Sequence, residues 1–170
     1  MTRFEIVPGE SRVWVHARST LHPIDSESSG LAGFFEADLD ADGRIDLTAS
    51  PPKARVEMPV ERLSSGNLLY DVEMRRRVDA RRWPLIEGEL TGMEPDGAEG
   101  SYAVSGEVTF RGVSRPCSDR LAVSVPEQGT VCLEGSHTFD LRDFGFEPPR
   151  IMMIRVHPHV EVRVKVVARA

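Results

Sequence analysis

The sequence predicts an all-β domain: an antiparallel barrel of about eight strands with one short helical excursion. Apolar residues recur at every second position in one segment after another, and turn residues separate those segments at hairpin spacing. Only one stretch, near residues 67–80, carries a helical pattern instead. Closure into a barrel is expected because it removes exposed sheet edges, with a two-sheet sandwich as the alternative.

The elements follow in order. After a Pro8-Gly9 turn, Val13, Val15 and Ala17 alternate with Trp14, His16 and Arg18, so one face of this strand points into a core. Residues 20–33 are polar and read as a loop; Phe34 to Leu39 resume an extended pattern, and Ala41-Asp42-Gly43-Arg44 forms a hairpin turn from which Ile45 to Ala49 pair back. Ser50-Pro51-Pro52 breaks the chain before Val56, Met58 and Val60 alternate, and Pro59 marks a strand end or an opening. In the helical stretch, Asp71 with Arg75 and Glu73 with Arg77 form acid-to-base pairs four residues apart. Leu68 and Val72, joined by Met74 and Val78, supply its apolar face. Pro84 stops the helix, and strands return over Leu85 to Met93, Tyr102 to Phe110, Leu121 to Val125, Val131 to Leu141 and Val160 to Val167. Within the Tyr102 strand, Gly106 permits a sharp bend or a close backbone approach, while Gly112 and Pro116 turn the chain back.

Composition narrows the functional classes. The 170 residues, 40% hydrophobic and 28% charged, suit one soluble domain spanning residues 1–170 with its own core. The 21 Lys and Arg against 27 Asp and Glu leave a net charge of −6, which argues against general nucleic-acid or anionic-membrane binding. No run resembles a signal peptide or a membrane span, so the expectation is a cytoplasmic protein without stable membrane insertion, and free buried thiols at Cys117 and Cys132.

A barrel of this size is filled by side chains or holds one small ligand, and the pattern leaves both open. Strand parity assigns Val13, Val15, Phe35, Met58 and Leu90 to the chamber. It adds Tyr102, Val104, Val108 and Phe110, and, from the later strands, Leu121, Phe139, Val162 and Val164. His137 is the main polar exception to this inward parity. Ser136 and His137 point to opposite faces of a strand, so a catalytic triad with Asp140 is not expected. His157 and His159 share a strand face without an acidic or Cys partner at a metal-site spacing, and no metal or cofactor is expected. Arg75, Arg76, Arg77, Arg81 and Arg82 have two readings: a clamp for an anionic head group at the barrel entrance, or a solvated face paired with Asp71, Glu73 and Asp79. Trp14 has two as well, a dimer contact or a lone outer aromatic.

The ordered series of motifs resembles a known family. Gly106-x-Val-Thr-Phe-Arg-Gly-Val-Ser-Arg-Pro116 is similar to a segment of the YceI family, the lipocalin-like polyisoprenoid-binding proteins, as are Ser11-x-Val13-x-Val15-x-Ala17-Arg18 and Gly33-x-Phe35. Leu63-Ser-Ser-Gly-Asn67, then Asp71, Met74, Asp79-Ala80 and Trp83-Pro84-x-Ile86, resemble its helical excursion, and Asp143-Phe144-Gly145-Phe146 its Asp-Phe-Gly turn. The resemblance implies an eight-stranded lipocalin-like barrel with a helical flap, often dimeric, enclosing an isoprenoid or fatty-acid-derived ligand, and it implies no catalytic residues. Two positions depart from the family pattern: Ser19 stands where many members carry His, and Leu141 where they carry Arg. Two other functions are weighed beside lipid binding: a small-molecule enzyme in the same cavity, and a filled barrel acting as an interaction module.

Overall fold

Pro8 and Gly9 break the first strand in two, and both pieces lie along the same partner. The computed structural model describes residues 1–151 and 153–170. β1 (Thr2–Ile6) and β2 (Arg12–Ser19) both pair antiparallel with the long last strand β13 (Ile154–Arg169), β1 at its C-terminal end and β2 along its middle. The remaining strands are β3 (Ile24–Ser28), β4 (Ala32–Leu39), β5 (Ile45–Asp46), β6 (Lys53–Pro59) and β7 (Leu63–Ser64). After helix α1 (Leu68–Val78) come β8 (Leu85–Pro95), β9 (Ser101–Phe110), β10 (Val113–Glu127), β11 (Thr130–Asp140) and β12 (Arg150–Ile151).

Hydrogen-bonded neighbours run β1-β4-β6-β8-β9-β10-β11-β13 and return to β1, which closes an antiparallel ring of eight strands. The expected barrel, and not the sandwich, is therefore the fold. At one end β2, β3 and β7 continue the sheet off β13.

Several local readings change. Residues 20–33 are not a loop throughout: Ile24–Ser28 pairs with β2 as β3, residues 32–33 open β4, and only residues 20–23 and 29–31 lie outside strands. Polar side chains hide β3 in the sequence, because its outer face is solvated. The return from the Asp40–Arg44 turn stops after Asp46, whose carboxylate accepts from the Thr48 backbone and hydroxyl and turns the chain away. β10 begins at Val113, since the turn needs only Arg111 and Gly112, both at positive φ (51° and 73°) as a two-residue hairpin of this hand requires. Pro116 thus lies inside β10. It is tolerated there because this stretch is paired with β9 alone; backbone pairing with β11 starts only at Leu121 and Gly135. Gly106 does meet a close backbone: a Cβ there would lie 2.7 Å from the Glu89 carbonyl oxygen, beside the β8 bulge between Leu90 and Gly92.

The core divides along the barrel axis. Phe4, Phe35, Ala37, Val131 and Ala168, all nearly or fully buried, fill the end closed by β1, with the Phe4 and Phe35 rings 6.3 Å apart. At the other end Val60, Val78, Ala80, Phe110, Phe144 and Phe146 form a second cluster that seats α1 and the Asp-Phe-Gly turn. Phe110 meets Phe146 and Phe144 edge-on at 5.5 and 5.9 Å.

Candidate functional site: a hollow half-barrel under the helix

Between these two clusters the barrel is hollow. A cavity of about 390 Å3 lies under α1, within the size range of small-molecule sites. Its wall is built mainly from the inward positions of β2, β9, β11 and β13. These are chiefly Val, Ala and Gly, whose side chains are too short to meet across the barrel axis.

Of the residues that parity assigned to the chamber, Val13, Val15 and Met58 line this cavity, as do Val104, Val108 and Phe110. Leu121, Phe139, Val162 and Val164 complete the set found there. Phe35 and Tyr102 also belong to the barrel interior but lie in the filled half, packed in the Phe4 cluster and away from the cavity. Leu90 stands opposite Gly106, between the levels of Val104 and Val108, and packs against the Phe4 cluster without lining the cavity. Parity gives a side chain its face; it does not give its height along the axis or which neighbours it packs on.

α1 closes the cavity with part of the stripe its sequence suggests: Met74 and Val78 face inward, and Leu68 and Val72 do not. Leu68 and Val72 are exposed, and the lining residues are Tyr70, Asp71, Met74, Arg75 and Val78. Tethers set this phase. Asn67 caps the helix by accepting from the Tyr70 N–H at 3.2 Å, and the Asp71 carboxylate accepts from the Ser65 N–H and hydroxyl at 2.9 and 2.6 Å. The Tyr70 hydroxyl donates to His22 Nε2 at 3.3 Å, since His22 Nδ1 is occupied by the Pro23 carbonyl at 3.0 Å. The flap is thereby tied to the β2–β3 turn. Asp71 is committed to the serines, and the Arg75 guanidinium donates instead to the Glu61 carbonyl at 3.2 Å. Glu73 does pair with Arg77 at 3.0 Å and with Arg76 at 2.9 Å, and these bonds hold its carboxyl below the ordinary value. Of the five arginines in the cluster, Arg75 is the one on the cavity wall.

Sequence reasoning missed Asp119, which stands on the inward face of β10 opposite Val104. His137 Nδ1–H donates to Asp119 Oδ2 at 2.8 Å, and this bond is the main cause that lowers the Asp119 pKa. Both residues line the largely apolar wall. The signal was available in the parity of β10, where Asp119 falls in step with Leu121 and Val123. It was obscured by the assignment of residues 112–116 to a turn. Ser136 faces outward and Asp140 pairs with Arg142 at 2.8 Å, so Ser136, His137 and Asp140 do not converge.

The remaining candidates have plain structural roles. Ser19 organises the β2–β3 turn, accepting from His22 N–H at 3.1 Å, and Leu141 joins the apolar lining. His157 is exposed, His159 lies 3.6 Å from Asp140, and no cluster of metal-ligating side chains occurs among the described residues. Cys117 faces Gly106 across the sheet and Cys132 faces Ser124, so the two thiols are not cross-strand partners. Trp14 lies on the outer surface under the Arg163 guanidinium, 4.3 Å from its ring centroid. No helix among the described residues is long and apolar enough to cross a membrane.

Known structures share this architecture. BcnA of Burkholderia cenocepacia matches with a TM-score of 0.78 at 15% identity, covering 96% of this chain and 99% of that one. A polyisoprenoid binding domain from Saccharophagus degradans, implicated in plant cell wall breakdown, matches with a TM-score of 0.78 at 13% identity and 98% coverage of each chain. The YceI protein of Campylobacter jejuni gives a TM-score of 0.69 at 13% identity, covering 86% and 85%. At these identities the likeness is one of fold. A comparison with curated protein sequences finds no match. The family model for the YceI-like domain matches residues 4–168, nearly the whole chain, and the protein therefore belongs to the YceI-like family.

Proposed function

We propose that the protein binds a long-chain isoprenoid or a similar amphiphilic lipid in the hollow half of its barrel, and that it carries or shields that molecule. The observation that carries this reading is the apolar cavity of about 390 Å3 roofed by α1. Each methylene moved from water into such a wall gains about 0.8 kcal/mol, so a tail needs few polar contacts to be held. The polyisoprenoid-binding domain of Saccharophagus degradans, with the same fold, supports the ligand class. A homodimer and a cytoplasmic setting belong to the same reading; sedimentation and cell fractionation test them.

The decisive experiment is native mass spectrometry of gently purified protein, followed by organic extraction and identification of what is released. A stoichiometric long-chain lipid is expected. Empty protein that also refuses geranylgeraniol offered in mild detergent would overturn the reading and favour a barrel acting through its surface.

A further inference from the structure

The Asp119–His137 pair sits where the barrel wall parts. Leu121 and Gly135 are the last backbone partners of β10 and β11; beyond them, on the side of α1, the strands separate and Pro116 needs no partner. The cavity lining includes Arg120 and Ser136, which alternate to the outer face, so the hollow reaches into this seam. Across it, His137 Nδ1 meets Asp119 Oδ2 at 2.8 Å, and the imidazole packs edge-on against Phe139 at 4.6 Å. Two contacts thus orient the ring in a largely apolar wall.

The bond to Asp119 decides what the other nitrogen offers. An ionised carboxylate only accepts, so Nδ1 carries the proton, and in the neutral imidazole Nε2 is left as a bare acceptor. Among the described residues no protein group bonds to Nε2. Arg120 does not compete, because its guanidinium turns to Asp96 at 2.7 Å. A ligand carbonyl, ether or phosphate brings only lone pairs to this point and stands beside the Asp119 carboxylate. A hydroxyl brings the missing proton.

We infer that the neutral His137, positioned by Asp119, is a polar anchor that accepts a hydrogen bond from a hydroxyl group on the ligand, so that the site selects long-chain alcohols or phenols over their capped or hydrocarbon counterparts. This rests on the lipid-binding reading above. The tail occupies the hollow half and the hydroxyl lies at the seam. The role falls to His137 in a chain whose Ser19 is committed to the β2–β3 turn and whose position 141 is an apolar Leu.

Competition separates this inference from the reading beneath it. Protein is offered an equimolar mixture of geranylgeraniol and its methyl ether in mild detergent above neutral pH, and the bound ratio is read by native mass spectrometry. The wild type is expected to prefer the alcohol roughly three- to tenfold, as one neutral hydrogen bond provides. His137→Phe, which keeps an aromatic ring on the wall, is expected to take both with a ratio near one. Equal uptake by the wild type overturns the anchor and leaves tail binding intact; a preference that survives in His137→Phe also overturns it. Refusal of both ligands by the wild type removes the tail-binding reading itself. A second measurement does not depend on the variant folding: imidazole nitrogen shifts by NMR should show His137 protonated at Nδ1 and bare at Nε2 in the wild type, with the bare tautomer depleted in Asp119→Asn. A neutral wild-type ring protonated at Nε2 would sink the assignment.

Discussion

The two ends of this barrel are built on one pattern of inward apolar residues and reach opposite outcomes. Around Phe4 and Phe35 the ring is sealed by β1, which bonds to β4 on one side and β13 on the other, and large side chains, the cross-strand neighbours Phe4 and Phe35 among them, fill the interior. Under α1, β2 and β3 turn away toward β7, β10 and β11 part, and the inward residues that β2, β9 and β13 set along the hollow are mostly Val. Hollowness therefore needs no polar interior. It needs short side chains where the strands still hold a full barrel circumference, with a helix laid over the end to keep water from collapsing the space. The filled end supplies the stability that an unfilled end forgoes.

This contrast is open to attack, most forcefully in the filled half. Phe35→Ala should cost about 3–5 kcal/mol in urea unfolding, because its ring is fully enclosed and the surroundings cannot close over the gap. Val162→Ala, on the cavity wall, should cost well under half as much, and equal losses would mean that the hollow half is packed in solution. Next in size, saturating geranylgeraniol at about a hundred times its dissociation constant should add about 2.7 kcal/mol of stability. Amide hydrogen exchange should slow in α1, β10 and β11 and stay unchanged in β1 and β4; protection at the filled end would misplace the ligand. Val108→Trp fills cavity space and should lower uptake tenfold or more, about 1.4 kcal/mol, while shifting stability by less than about 1 kcal/mol. A folded variant with full uptake would remove Val108 from the site.

Smaller effects sharpen the picture at the flap and the seam. Asn67→Ala deletes the cap of α1 and should loosen the helix by about 1 kcal/mol, seen as faster exchange in α1 with the barrel amides unaltered. The smallest effect is in acid. Asp119 has its pKa lowered by the His137 hydrogen bond, so its contribution to stability is present above the ordinary carboxylate value of about 4 and is lost as pH falls through the folded value. Asp140, drawn down to about 2 by its hydrogen bonds with Arg142, is protonated at the acid extreme. Asp119→Asn should therefore flatten the thermal-stability profile slightly below about pH 4, and an unchanged profile would show the pair to contribute nothing to folding.

Much of this was legible in the chain. Strand after strand announced itself through alternation, and Pro84 and the Ala41-Asp42-Gly43-Arg44 turn marked boundaries through local backbone chemistry. Where local chemistry was silent or ambiguous, the reading slipped. β3 is polar on its solvated face, so its sequence reads as loop. Pro116 was read as a turn residue, because nothing nearby reveals that β10 has an unpaired edge there. Leu68, Val72, Met74 and Val78 read as the covering face of α1, yet the Asp71–serine and Tyr70–His22 tethers turn Tyr70 inward with Met74 and Val78 and leave Leu68 and Val72 exposed. The pairing of Asp119 with His137 is hidden for a related reason: the two lie 18 residues apart and meet only across the seam.

The amino-acid sequence by itself determined the strand periodicity, and hence which side chains turn inward, as well as the single helix and the family. These depend on backbone sterics and burial along one segment at a time. The tertiary structure alone decided how far along the axis each inward residue sits, where the ring of hydrogen bonds seals or parts, and that His137 and Asp119 meet in an apolar wall. Those outcomes depend on register and stagger among strands distant in the chain, and no local pattern encodes them.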